Sequence, residues 1–385
     1  MTATGANLYP WDVVGDPAAP DRIAALGVDR ATVAAAYHTV RAVTPRHPGH
    51  KVVTAAHSAV YYRPDPERWY GAPLKPAEAL WAHRTFPTAA TALRAVGLKV
   101  YAWVVLTHNQ RLGNLNPQNA VTNAYGDTYT WALCANSPDV RAYCALLAGE
   151  IAEQPDIDGV ELESCGWYGF DHLHAHDKTA GVHLDAATKR LMNVCFCANC
   201  EAAYKDLGLS GFRAEVRREL DEVFEGRRAT VRTDAGEDWD ALTAVARMRV
   251  AAAARLREEA VAAVRKVRPD IPVLLHASGD PHAVGANPGC PPSKDYGAVL
   301  QCGVRSQAAL AGIREYAAAA KEIGSTQPLA ATVNIIDGLG GNRADLVAYC
   351  ADLRAAGADE LRFYHAGLAN AEDLAVAAEA ARAAG

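Results

Sequence analysis

The 385-residue chain has no apolar run approaching the roughly 18 residues that a bilayer-crossing helix needs. It also has no Lys/Arg-dense stretch. Its 38 basic and 44 acidic residues leave a net charge of −6, so nucleic acid and anionic membrane are poor partners. The opening segment MTATGANLYPWDVVGD lacks a basic stretch followed by an apolar one and does not read as a signal peptide. A cytoplasmic location is the expectation, with the nine cysteines as thiols or metal thiolates rather than disulfides. With 50% hydrophobic and 21% charged residues, the composition is that of an ordinary globular protein and argues against extended disorder or fibrous repeats.

What is present is an alternation of short β-type runs with Ala/Leu-rich helical stretches. Eight strands are predicted, at Asn7–Val14, Ala31–Val40, Lys99–His108, Asp158–Ser164, Ile271–Ser278, Gly297–Gly303, Leu329–Ile336 and Asp359–Gly367. KVVTAAHSAVYY after the second reads as an extension or hairpin. Helices are predicted between the strands, one of them from an N-cap Ser137 with Pro138 at its first position. Strands apolar on both faces under helical cover pair in parallel, and eight is the number at which such a sheet closes. The main competitor, a doubly wound sheet, would carry a Gly-rich phosphate turn after an early strand, and none is present. The expected fold is therefore α/β: a single (β/α)8 TIM barrel over 1–385, with a long excursion over 165–238 after strand four.

Active sites of such barrels lie at the C-terminal strand ends. There the sequence places His38, His108 and Asn109, Glu161 and Glu163, His276, Arg305, Asn334 and Asp337, and Tyr364 and His365. These residues suggest a polar pocket. Aromatic residues gather nearby, and Trp167 and Tyr168, just beyond Glu163, form the best substrate-loop candidate because sugar C–H faces stack on such rings. The run His172, His174 and His176 reads as a solvated loop or a second metal site.

Cys195, Cys197 and Cys200 form a C-x-C-x-x-C turn that can aim three sulfurs at one point. Tetrahedral zinc needs a fourth ligand, and Cys134 in the CANSP segment is the candidate. Four protein ligands close the shell, so such a metal would be structural. The plainer alternative is a set of small buried thiols. In segment order and spacing this cluster resembles the zinc site of glycoside hydrolase family 42 β-galactosidases, retaining clan A enzymes on a (β/α)8 barrel. The resemblance implies an acid/base Glu at the end of strand four. In the family that Glu follows Asn, whereas here Leu162 precedes Glu163. It also implies a nucleophilic Glu near the end of strand seven, where this chain has TVNIIDGLGG.

Glu161 and Glu163 are two residues apart on a strand and so share a face. With Val160 and Leu162 toward the helices, both carboxylates should enter the barrel, where a charge costs several kcal/mol unless paired, hydrated or protonated. Glu163 is the candidate general acid. Glu161 is either a second carboxylate or a structural residue paired with a buried cation such as Arg362. Asp337 is the other second-carboxylate candidate. Retaining and inverting glycosidases differ in carboxylate separation, ~5–5.5 Å against ~6.5–9.5 Å. The leading expectation is a glycoside hydrolase acting on a small carbohydrate, with self-association into a homo-oligomer left open. The alternatives are a metal-dependent sugar isomerase, epimerase or lyase using Glu161, Glu163 and His276, or a sugar-binding barrel without catalysis.

Overall fold

The computed structural model describes residues 3–79, 84–171, 177–232 and 240–384. Eight parallel strands form its centre: β1 (Ala3–Leu8), β2 (Arg30–Tyr37), β3 (Lys99–Val105), β4 (Gly159–Glu163), β5 (Val273–Ala277), β6 (Gly297–Gly303), β7 (Leu329–Asn334) and β8 (Glu360–Tyr364). Each pairs with the next, and β1 pairs with both β8 and β2, which closes the ring. This is the expected (β/α)8 barrel. The predicted histidine run at 172–176 lies outside the described residues.

Several strand ends differ from the sequence reading; the second strand stops at Tyr37 and Val40 opens a separate hairpin strand, Val40–Val43. The first strand lies earlier than expected, because Pro10 has no N–H for the ladder and opens a single 3-10 turn, Pro10–Asp12. The Asp12 carboxylate accepts the Tyr9 backbone N–H at 2.8 Å and fixes that turn. KVVTAAHSAVYY divides into two pieces. Val52–Ala55 pairs antiparallel with Val40–Val43, whereas Ala59–Val60 adds antiparallel to the tip of β2.

Among the described residues, four helices lie between β4 and β5, at Ala186–Met192, Ala198–Asp206, Phe212–Phe224 and Asp240–Val267. The last packs along helix Pro138–Ala152, which precedes β4. Inside the ring, Tyr101, Leu274, Val299 and Ala330 form a small apolar plug. Gly159 makes room for it, since a Cβ there would overlap the Tyr101 ring. Gly159→Ala should therefore cost about 1–3 kcal/mol by overpacking, read as a lower midpoint in urea unfolding with an unchanged slope.

Candidate active site and metal centre

Strand alternation in β4 sends Glu161 and Glu163 into the barrel, but neighbouring strands give them opposite environments. Glu161 is fully enclosed. Its Oε1 accepts from Arg362 Nε at 3.0 Å and Thr32 Oγ1 at 3.1 Å. Arg362 also reaches Glu360 at 2.6 Å, and Glu360 reaches Arg30 at 2.8 Å, so a buried ionic chain crosses the interior. Burial alone would raise Glu161, but the Arg362 guanidinium and then His276 outweigh it and hold the carboxyl at about 2. Stability from this depressed carboxyl is present above its ordinary value of 4.5 and is lost as pH falls toward 2. The melting temperature of the chain should accordingly decline as buffer pH is lowered through that interval.

Glu163 sits one layer higher, nearly enclosed at 5% exposure. Trp103 Nε1 donates to its Oε2 at 2.7 Å, and His276 Nδ1 lies 3.9 Å away. The other His276 nitrogen is 3.7 Å from Glu161 Oε2, so one imidazole stands between the two carboxylates. Burial pushes the Glu163 carboxyl above its ordinary value and Glu161 adds to this, against the opposing pulls of His276 and Trp103. Glu163 is thus biased toward the protonated form and Glu161 toward the anion. Such divergence between neighbouring carboxyls is the usual mark of separate acid and anion roles.

Rings surround the upper carboxyl. Tyr9 and Tyr37 share a hydroxyl–hydroxyl hydrogen bond of 3.0 Å, and Tyr9 Oη lies 3.0 Å from His365 Nδ1. The Tyr364 phenol is pushed up first by burial and then by Glu163; Tyr168 responds to the same two influences. These phenols therefore stay neutral and can donate. Burial pushes His365 down to about 4, leaving a neutral imidazole. His108 stacks on Tyr168 at 4.3 Å and faces His38 at 4.8 Å, while His38 stacks on Tyr37 at 4.1 Å. Two residues immediately beyond strand ends, Ser164 (φ 55°) and His365 (φ 62°), hold left-handed backbone. The Ser164 backbone is pinned at both ends, its N–H donating to Ala286 O at 2.9 Å and its carbonyl accepting from Thr107. Local strain held in this way clusters at functional sites.

The structure thus gathers His38, His108, Tyr168, His276, Tyr364 and His365 around Glu163. Other residues expected there are engaged elsewhere. Asn109 caps the helix Gln110–Leu115 through Leu112 N at 3.0 Å. Asn334 pins its own loop through Ile336 N and Leu339 O. Arg305 turns outward to Asp345 and Asp352. Trp167 lies under Arg249. Asp337 is exposed on a 3-10 turn, with Arg343 as its electrostatic neighbour. Tyr9 and the hydrogen-bonding edge of Trp103 were missed. The two-residue spacing from Asn7 to Tyr9 and from Tyr101 to Trp103 was the available signal.

The four predicted cysteines converge. Cys134, beyond the antiparallel pair Ala120–Thr122 and Thr128–Leu133, belongs to the β3–β4 connection, and the other three to the β4–β5 connection. Their sulfurs all lie within 4.8 Å of one another. Cys134 is 3.6 Å from Cys200, 3.8 Å from Cys195 and 3.6 Å from Cys197. A tetrahedral ion with ~2.3 Å thiolate bonds requires sulfur separations of ~3.8 Å, whereas a disulfide needs ~2.05 Å. The set fits a metal ion that ties two barrel connections together. Among the described residues this is the one such group, so Glu161, Glu163 and His276 do not converge on a common point.

No protein-family model matches the chain, and no curated protein does. Solved structures do resemble it. α-L-Fucosidase isoenzyme 2 from Paenibacillus thiaminolyticus is 14% identical over 99% of this chain and 49% of its own, with a TM-score of 0.56. The glycoside hydrolase domain of PgaB (BpsB) from Bordetella bronchiseptica is 14% identical over 96% of this chain and 95% of its own, with a TM-score of 0.54. The β-galactosidase from Bacillus circulans sp. alkalophilus is 13% identical over 99% of this chain and 55% of its own, with a TM-score of 0.56. The chain thus spans about half the length of the fucosidase and of this β-galactosidase. At these identities the likeness is one of fold: the chain has the (β/α)8 architecture of proteins named as glycosidases.

Proposed function

We propose that the protein is a glycoside hydrolase acting on a small carbohydrate, with Glu163 as the general acid. The observation that carries this reading is a carboxyl pushed up by burial at the C-terminal end of β4, oriented by Trp103 and overhung by phenols and imidazoles. Glu163 delivers its proton to the glycosidic oxygen as the bond to the anomeric carbon breaks; water then bonds to that carbon, and the proton it loses restores the Glu163 carboxyl. The surrounding Tyr and His residues supply hydroxyl-binding donors and ring faces for stacking. The glycosidase names of the fold neighbours support the same reading.

Glu161 is too enclosed to touch substrate, so its role in this proposal is to hold His276 and Arg362 in place and keep negative charge below the acid. Asp337, exposed on its turn beside Arg343, does not join Glu163, so the reading assigns no second carboxylate. The cysteine cluster holds a structural Zn²⁺, its four thiolates leaving no open coordination position. The metal-dependent isomerase alternative is disfavoured because Arg362 engages Glu161 and the three ligands it needs do not converge.

A panel of aryl glycosides, assayed across pH with and without a chelator, tests the reading. Release of the aryl group that persists with chelator and falls on the alkaline side as the acid deprotonates is the expected result. Sugar-induced thermal stabilisation without turnover at any pH would instead identify a binding protein.

A further inference from the structure

A cavity opens beside Trp167, four residues beyond Glu163. It is a cleft of about 540 Å³ between helix Asp240–Val267, the 186–194 segment and the loop after β5, within the size range of small-ligand sites. Adjacent residues divide between the two places: Tyr168 neighbours Glu163, whereas Trp167 lines the cleft. Trp167 Nε1 donates to the Arg249 carbonyl at 2.8 Å, and the Arg249 guanidinium lies 4.1 Å above its ring. The cation is therefore positioned by stacking and backbone anchoring.

The charges of the cleft are unequally satisfied. Lys189 is paired with Asp171 at 2.8 Å. Asp280 accepts the His282 backbone N–H at 2.9 Å within its own turn. Arg249, on helix Asp240–Val267, and Arg190, on the 186–194 segment, both line the cleft, and among the described residues neither has a carboxylate partner; Nη1 of Arg249 has no hydrogen-bond acceptor. An arginine preplaced in a cleft without a counter-ion matches an oxyanion, which accepts its planar donors in charge-assisted bonds.

We propose that this cleft is an anion-recognising subsite for an acidic sugar, one bearing a carboxylate or a phosphate, with Arg249 as the main contact and Arg190 as the second. The identification of the ligand as a sugar rests on the glycosidase reading; the requirement for an oxyanion rests on the cleft alone.

Calorimetric titration of the full chain with glucuronate, glucose 6-phosphate and neutral glucose tests it. At least one acid should bind at millimolar concentration, more weakly as salt rises, and glucose should not. Arg249→Met should weaken acid binding by about tenfold or more. Arg190→Gln, at an exposed position that does not endanger folding, should weaken it to a smaller extent. Binding of glucuronate alone assigns the carboxylate, of the phosphate ester alone the phosphate, and of both a general oxyanion site. Equal binding of glucose, no titration by either acid, or unchanged affinity in both variants overturns the proposal. If aryl glycosides are not hydrolysed while acid binding remains and responds to Arg249→Met, the glycosidase reading fails and the anion site stands.

Discussion

Glu163→Gln should lower kcat on aryl glycosides by about 10²–10⁴-fold, the usual contribution of a positioned general acid, while leaving KM within a few-fold. The amide keeps the shape and can still accept from Trp103 Nε1, so the barrel mouth is preserved and only the transferable proton is lost. The loss should be steepest for substrates with poor leaving groups, which need protonation most. The same substitution makes an independent prediction about stability. Because burial raises the Glu163 carboxyl in the folded chain, its contribution to stability is complete below the ordinary value and is lost as pH rises through the raised one. The Gln variant should therefore be at least as stable as the parent at neutral pH, and any advantage should shrink on acidification. Retained kcat in a folded Gln variant would remove Glu163 from the mechanism.

Cys197→Ser should abolish binding of one metal equivalent per chain and destabilise the protein by more than ~4 kcal/mol, beyond the range of ordinary substitutions. The corresponding fall in melting temperature is on the order of 5–10 °C. The cluster joins two barrel connections next to hydrogen bonds such as Phe196 N to Thr122 O at 2.6 Å and Asn136 Nδ2 to Asn199 O at 3.1 Å. Loss of the ion should thus loosen the segment between β4 and β5 first, so limited proteolysis should cut within 177–232 before the barrel strands. Elemental analysis showing a full equivalent in a variant that melts like the parent would overturn the ligand assignment.

Much of this was legible in the chain itself. Strands six and eight of the sequence reading coincide with or enclose Gly297–Gly303 and Glu360–Tyr364. These runs are apolar and helix-flanked, so local pattern and burial agree. The cysteine cluster was legible for a similar reason: C-x-C-x-x-C places three thiols by local turn geometry, leaving only one distant partner to find. The carboxylate pair was half legible. Period-two alternation puts Glu161 and Glu163 on one face, but it does not reveal which of them meets a cation.

That assignment came from closure of the ring. Arg362 is 201 residues from Glu161 in sequence, yet it lies against it across the interior. Asn109, Arg305 and Asn334 illustrate the same limit: their positions near strand ends were readable, but the partners that turned them to capping, surface pairing and loop bracing were not. The cleft at Arg249 brings together three separate segments, and none of them announces it alone. Sequence by itself determined the barrel, the cysteine cluster and the side of β4 that carries acid, because these follow from short-range periodicity and spacing. Tertiary structure decided which carboxyl is lowered, which is raised and where unpaired cations gather, because electrostatic environment is set by neighbours across the fold rather than along the chain.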